Sequence, residues 1–140
     1  MLRVESDLPL RITEYFSRQP GSLRMRNFLR DQREFQHVYR NGKRYDGRFI
    51  SVFVISNEGL HHRLGVTASK KAIGNAVQRN RAKRLLRETF RFNSPSLGAL
   101  TVKYDWVLNA KSTLLTVKLE SPAEEFAGIV DRVNRSEKAS

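Results

Sequence analysis

The chain has 140 residues and is 39% hydrophobic, enough for one domain with a buried core. Lys and Arg number 26 against 14 acids, so the net charge is +12 and the pI near 10.7, which calls for a polyanionic partner, nucleic acid before anionic membrane. The absence of cysteine excludes a disulfide framework and a Cys-based zinc site. The longest apolar run, Phe49–Ile55, is too short to span a bilayer, and the N-terminus lacks the basic-then-apolar pattern of a signal peptide; a cytoplasmic location is the expectation.

Residues 1–22 contain Pro9, Pro20 and Gly21 and read as a flexible arm, although Ile12, Tyr15 and Phe16 share a helical face. Residues 23–135 read as one RNA-binding domain and 136–140 as a frayed tail. Asp31 followed by Glu34 is a helix-start pair, Phe35, Val38 and Tyr39 form one apolar face, and Gly42 is a stop. The first helix is therefore placed at about 32–41. GRFISVFVIS, residues 47–56, alternates like a strand with Ile50, Val52 and Val54 on one face and Phe49, Ser51, Phe53 and Ile55 on the other. A second strand, RLGVTAS at 63–69, is expected to pair with it as a hairpin.

Asn75 with Gln78 opens a second helix, in which Ala82, Leu85, Leu86, Thr89 and Phe90 make a core stripe. Asn80, Lys83, Arg84, Arg87 and Arg91 fall opposite, with Arg81 at the margin, while Arg79 projects elsewhere. KYDWVLNA, 103–110, reads as a third long strand. Ser121-Pro122-Ala123-Glu124 reads as cap, first position and capping acid of a third helix, with Phe126, Ile129, Val130 and Val133 as its buried stripe. This order predicts an α+β sandwich, one sheet with helices packed on it.

The stretch 70–93, KKAIGNAVQRNRAKRLLRETFRFN, sets eight Lys or Arg against one acid, Glu88. An ordinary solvated face intersperses acids, because like charges at i, i+3 and i+4 repel by a few tenths of a kcal/mol per pair. Arg predominates on the helix, which suits phosphates gripped by a planar fork, and Asn80 is able to touch a base edge or a 2′-hydroxyl. Neutralising about six phosphates would make affinity fall roughly a thousandfold from low to moderate salt. Membrane insertion would need large apolar residues flanking the basic arc, and the apolar side here is a core stripe.

RNRAKRLLRE, 79–88, resembles the arginine-asparagine-arginine signature of the bacterial ribonuclease P protein component. REFQHVYRNGKRYDGRF (33–49), RLGVTASKKAIGNAV (63–77) and YDWVLNAK (104–111) are similar to its other segments in the same order. The chain departs from that pattern in a longer 1–22 arm, in Asn109 where an aliphatic or similar strand residue is usual, and in a longer 112–120 loop whose alternation suits an extra strand or a packing segment. The resemblance implies an α/β sandwich, a mixed sheet of about four strands with three helices and a left-handed βαβ crossover. It implies the protein subunit of a ribonucleoprotein endonuclease that removes the 5′ leader from precursor tRNA. The hydrolysis would belong to the RNA subunit and its magnesium ions, with no cofactor bound by the protein alone and one protein per ribonuclease P RNA. Carried onto this chain, Lys70, Lys71, Arg79, Asn80, Arg81, Lys83, Arg84 and Arg87 would bind the catalytic RNA. Phe35, Tyr39, Phe49 and Phe53 would line the leader cleft, consistent with a single strand stacking on aromatic faces in a positive groove.

Two rival classes fare worse on the residues. A protein-only nuclease needs an acid–base pair or clustered carboxylates for metal. The acids are scattered; His61 and His62 read as side chains of a solvated turn, and His37 lies on the first helix off its apolar face. A DNA-binding regulator would bring helix-turn-helix spacing or a dimerisation element, and neither pattern occurs in the sequence.

Overall fold

In the computed structural model, residues 27–139 are described, so the expected arm at 1–22 lies outside them. The first helix, α1, spans Gln32–Asn41, the bounds expected from sequence. Its N-terminus is the anticipated capping box: Asp31 accepts from the Arg33 amide, and Glu34 accepts from the Asp31 amide at 3.1 Å. Gly42 ends it by steric necessity. A Cβ there would lie 2.5 Å from the Val38 carbonyl oxygen and 2.9 Å from that of Val54.

Four strands follow, β1 Lys43–Asp46, β2 Ile50–Ser56, β3 Arg63–Thr67 and β4 Tyr104–Ala110. They form one mixed sheet in the order β1-β2-β4-β3, antiparallel except for the parallel pair β3 and β4. The expected β2–β3 hairpin does not form, because β4 lies between the two. Trp106, Val107 and Leu108 are consecutive and all fully buried, so β4 needs cover on both faces and takes a central position. The 57–62 turn crosses the start of β4 and is fastened to it. The Asn57 amide bonds the Lys103 carbonyl at 3.0 Å, and its side chain donates to Asp105 at 2.8 Å. Strand β1 is unexpected from sequence. Only Tyr45 of KRYD is buried, and its charged neighbours suit a solvent-facing edge.

The β3-to-β4 connection carries the short helix α2 Lys70–Ile73, the long α3 Ala76–Phe92 and a turn of helix, α4 Ser94–Gly98. The last helix, α5, spans Glu120–Ala139. It starts earlier than the Ser121 cap predicted, with the Leu119 carbonyl accepting from the Ala123 amide, and Pro122 still falls in the first turn where no donor is needed. It extends to Ala139, inside the segment 136–140 read as a tail. Near its end Glu137 accepts from the Thr101 amide and hydroxyl, the Val102 amide and the Tyr104 hydroxyl. Burial alone would raise this carboxyl, but those bonds hold it at about 2. Of the two expectations for the 112–120 loop, the packing segment holds: it forms a 3-10 turn, Leu114–Thr116, with Leu114 in the core.

The sheet is covered on both faces. Ile50, Val52, Val54, Leu64, Trp106 and Leu108 pack with α3 and α5, where Phe90 and Phe126 close on Trp106 at centroid distances of 6.3 and 5.4 Å. Leu29, Val38, Val107, Phe35, Phe53 and Ile55 pack together under α1 on the other side. Helix α1 is anchored by one ionic junction. Arg63 donates bidentately to Asp105 at 2.8 and 2.7 Å and also to Glu34 at 2.9 Å. Asp105 is buried and holds Arg63 firmly cationic; the Arg30 amide, with Asp31 and Arg63, keeps Glu34 below the usual carboxylate range.

His62 is not the solvated turn residue the sequence suggests. Its Nδ1 faces two donors, the Tyr104 amide at 3.0 Å and the Trp106 indole at 3.1 Å, and its Nε2 lies 3.1 Å from the Leu97 carbonyl. Nδ1 must accept, so Nε2 carries the proton and the ring is neutral. Burial, reinforced by Lys103, pushes its pKa below the ordinary value near 6.5. A histidine held neutral by the fold contributes stability that is complete above the unfolded value and is lost progressively below it, down through the lowered folded value. Urea unfolding between about pH 7.5 and pH 5.5 is expected to show falling stability, with most of that slope removed in His62→Gln; an equal slope in both would refute the role.

Candidate nucleic-acid interface

Four local features present the basic segment. Ser69 caps α2 by accepting from the Ala72 amide at 3.0 Å, and Asn75 caps α3 by accepting from the Gln78 amide at 2.9 Å. Between them Gly74 adopts φ 117°, ψ −132°, a conformation that side chains resist. Arg79 then clamps this corner, its guanidinium donating to the Gly74 carbonyl at 2.7 Å. The odd direction of Arg79 in the sequence pattern thus corresponds to a structural task of its own.

Burial of Ala82, Leu86, Thr89 and Phe90 fixes the roll of α3. Asn80, Arg81, Arg84 and Arg87 are consequently exposed and Lys83 is half-buried, with Lys70 and Lys71 exposed on the adjoining short helix. Among the described residues, none of these six cations of α2 and α3 has an acidic partner. Elsewhere some cations are paired, Arg44 and Lys111 with Asp46, Arg63 with Asp105 and Arg135 with Asp131, and among the described residues others such as Arg40, Lys43 and Arg132 stand without an acidic partner. What distinguishes α2 and α3 is that six unpaired cations stand together on one short segment.

A second surface lies beside α1. The Tyr39 ring, 38% exposed, stands edge-on to Phe53 with centroids 4.8 Å apart, and the Arg44 guanidinium lies 5.5 Å from the centre of the Phe53 ring. The Tyr39 hydroxyl donates to Asn109 Oδ1 at 2.9 Å, and Thr67 donates to the same oxygen. Asn109, out of pattern for an aliphatic strand position, is what orients Tyr39. Phe35 lies against Gly65, where a Cβ would meet its ring at 2.6 Å. At the polar end Asp46 accepts from Ser51 at 2.6 Å and pairs with Lys111 at 2.9 Å; these contacts lower its carboxyl to about 2. Thr67 and Lys70 are three residues apart, so this cleft and the cationic ridge adjoin.

Phe35, Tyr39 and Phe53 come together as expected; Phe49 does not join them. It precedes β2 at a bend whose Arg48, Phe49 and Ile50 amides all bond Glu125 of α5, and it packs with the core on the α3/α5 side. Strand alternation assumed for Phe49 fails because the strand starts one residue later. Asn109, Thr67 and Arg44 were missed as cleft residues, although the register pairs Ser51 with Asn109 and Asn109 with Thr67. Among the described residues no three His, Cys, Asp or Glu side chains gather to hold a metal, and no helix is long and apolar enough to cross a membrane.

Comparison with known proteins identifies related chains. The family model described as Ribonuclease P matches residues 23–134. A ribonuclease P protein component from Coxiella burnetii is 33% identical over 112 residues, 80% of this chain and 89% of that protein. One from Clostridium botulinum is 46% identical over 67 residues, 48% of this chain and 60% of the relative's length. The solved RNase P protein from Thermotoga maritima superposes with a TM-score of 0.64 at 26% identity, covering 74% of this chain and 94% of that one.

If the ridge binds phosphates, Arg84→Ala/Arg87→Ala weakens binding to a structured RNA and makes the plot of log affinity against log salt shallower by roughly two. Filter binding across a salt series measures this; an unchanged slope would remove both arginines from the interface.

Proposed function

We propose that this chain, which belongs to the ribonuclease P protein family, is the protein subunit of a ribonucleoprotein that removes 5′ leaders from precursor tRNA in the cytoplasm. The supporting observation is the junction of an unneutralised cationic ridge with an aromatic cleft. In this reading Lys70, Lys71, Asn80, Arg81, Lys83, Arg84 and Arg87 hold the catalytic RNA, while Arg79 keeps the α2–α3 corner in shape for them. Tyr39 and Phe53, backed by Phe35, offer ring faces to successive leader bases, which tolerates many sequences. The RNA subunit, with magnesium, supplies the bond-breaking chemistry.

The protein's contribution is electrostatic and positional. Two polyanions repel, and a +12 chain placed between them lowers the cost of their approach. The leader extends past the ridge into the cleft, so a substrate that still has its leader gains contacts that the mature product lacks. That difference favours precursor binding and product release. One protein with one RNA satisfies this geometry.

Reconstitution with the organism's own catalytic RNA tests the proposal. At limiting magnesium the full-length chain is expected to restore leader removal where the RNA alone is nearly silent. Tyr39→Ala should weaken binding of precursor by about one base stack, roughly 1–3 kcal/mol, and leave mature tRNA binding unchanged. Failure of the wild-type chain to stimulate cleavage at any magnesium level would overturn it.

A further inference from the structure

Glu88 is the single acid of α3, and the RNA-binding reading gives it no task. It is half-buried, and among the described residues it has no cationic partner, although Arg81 and Arg84 line the same groove. The groove, about 340 Å³, lies between α3 and residues 115–119, within the size range of small-ligand sites, roughly 300–1,000 Å³.

The groove has apolar groups on both sides, Leu85 from α3 and Leu115, Val117 and Leu119 from the facing segment, while the exposed Arg81, Arg84 and Lys118 form its rim. The wall is preformed. Leu114 is fully buried, the Thr113 hydroxyl donates to the Arg48 carbonyl at 2.6 Å, and the Thr116 amide bonds the Thr113 carbonyl at 3.1 Å. The loop that sets this chain apart in sequence thus builds half of a pocket beside the ridge. Cations around one carboxylate and an apolar wall fit a nucleotide: phosphate at the rim, a base inside, and hydrogen-bond donors of that base toward Glu88.

We propose that the groove receives one unstacked guanine of the catalytic RNA, read by Glu88 through its N1–H and N2 amino group. This rests on the RNA-subunit reading above. A carboxylate presents two acceptors side by side, and guanine alone among the four bases offers two adjacent donors on its Watson–Crick edge. Adenine and cytosine set an acceptor nitrogen beside their amino group, and uracil sets its N–H between two carbonyl oxygens, so each repels one carboxylate oxygen. Guanine O6 then faces the cations of the rim. Bases splayed from RNA loops are recognised along these edges.

Analogue interference tests the assignment. Catalytic RNA carrying inosine sparsely in place of guanosine lacks single N2 amino groups; it is partitioned by full-length protein into bound and free pools. The wild type is expected to deplete inosine from the bound pool at one unpaired guanosine by about threefold or more, the effect of one net hydrogen bond. Glu88→Gln should lose that discrimination while melting at the wild-type temperature. Val117→Trp, which fills the groove without altering α3, should lose it too. An inosine pattern identical in all three proteins overturns the guanine site and leaves the RNA-subunit reading standing, whereas failure of the wild type to retain the RNA overturns both. A Glu88→Gln effect confined to sedimentation of the free protein would assign the groove to a second copy of the chain and refute the proposal.

Discussion

The structure turns on a single constraint: α3 must bury one stripe in the core while six cations of α2 and α3 stay without acidic partners. Like-charge neighbours on a helix cost a few tenths of a kcal/mol per pair. Burying a large apolar side chain contributes about 1.5–3 kcal/mol, so Leu86 and Phe90 alone offset the repulsion. The Phe90–Trp106–Phe126 cluster joins the stripe to the sheet and to α5. The core thus holds rigid a surface that would otherwise disperse its charge, and binding a polyanion releases the repulsion.

The cleft depends on a different interaction, the junction of Arg63 with Asp105 and Glu34. Glu34 also completes the capping box of α1, so one carboxylate both starts the helix and fastens it over the sheet. Tyr39 follows Glu34 on that helix and takes its ring orientation from Asn109 and Phe53. Strand β3 runs from Arg63 in the junction to Thr67 in the cleft, and the chain then enters the ridge at Lys70. The ridge and the cleft therefore share one short piece of backbone.

Local signals were legible in the sequence. The capping pair and Gly42 set the limits of α1, and the spacing of Ala82, Leu86, Thr89 and Phe90 set the roll of α3. Strand order was not legible, because nothing local told β2 that its neighbour would be a strand fifty residues on; the unbroken apolar run at Trp106–Leu108 was the one clue that β4 would be central. Strand β1 was hidden by charges on its solvent side. Phe49 misled because alternation was extended one residue past the true start of β2. His62 looked solvated because its partners, Trp106, Tyr104 and Leu97, come from distant segments. Glu88 appeared in the sequence only as an exception to a basic run, and its groove required the placement of the 114–119 segment.

The central claim is that the ridge exists for one folded catalytic RNA. Its most direct test is to purify the full-length chain from its own cells at moderate salt and sequence the RNA that stays with it. Recovery of one abundant structured RNA, able with this protein to cleave precursor tRNA when magnesium is scarce, is the predicted result. A bulk mixture of cellular RNA with no such species enriched would contradict it.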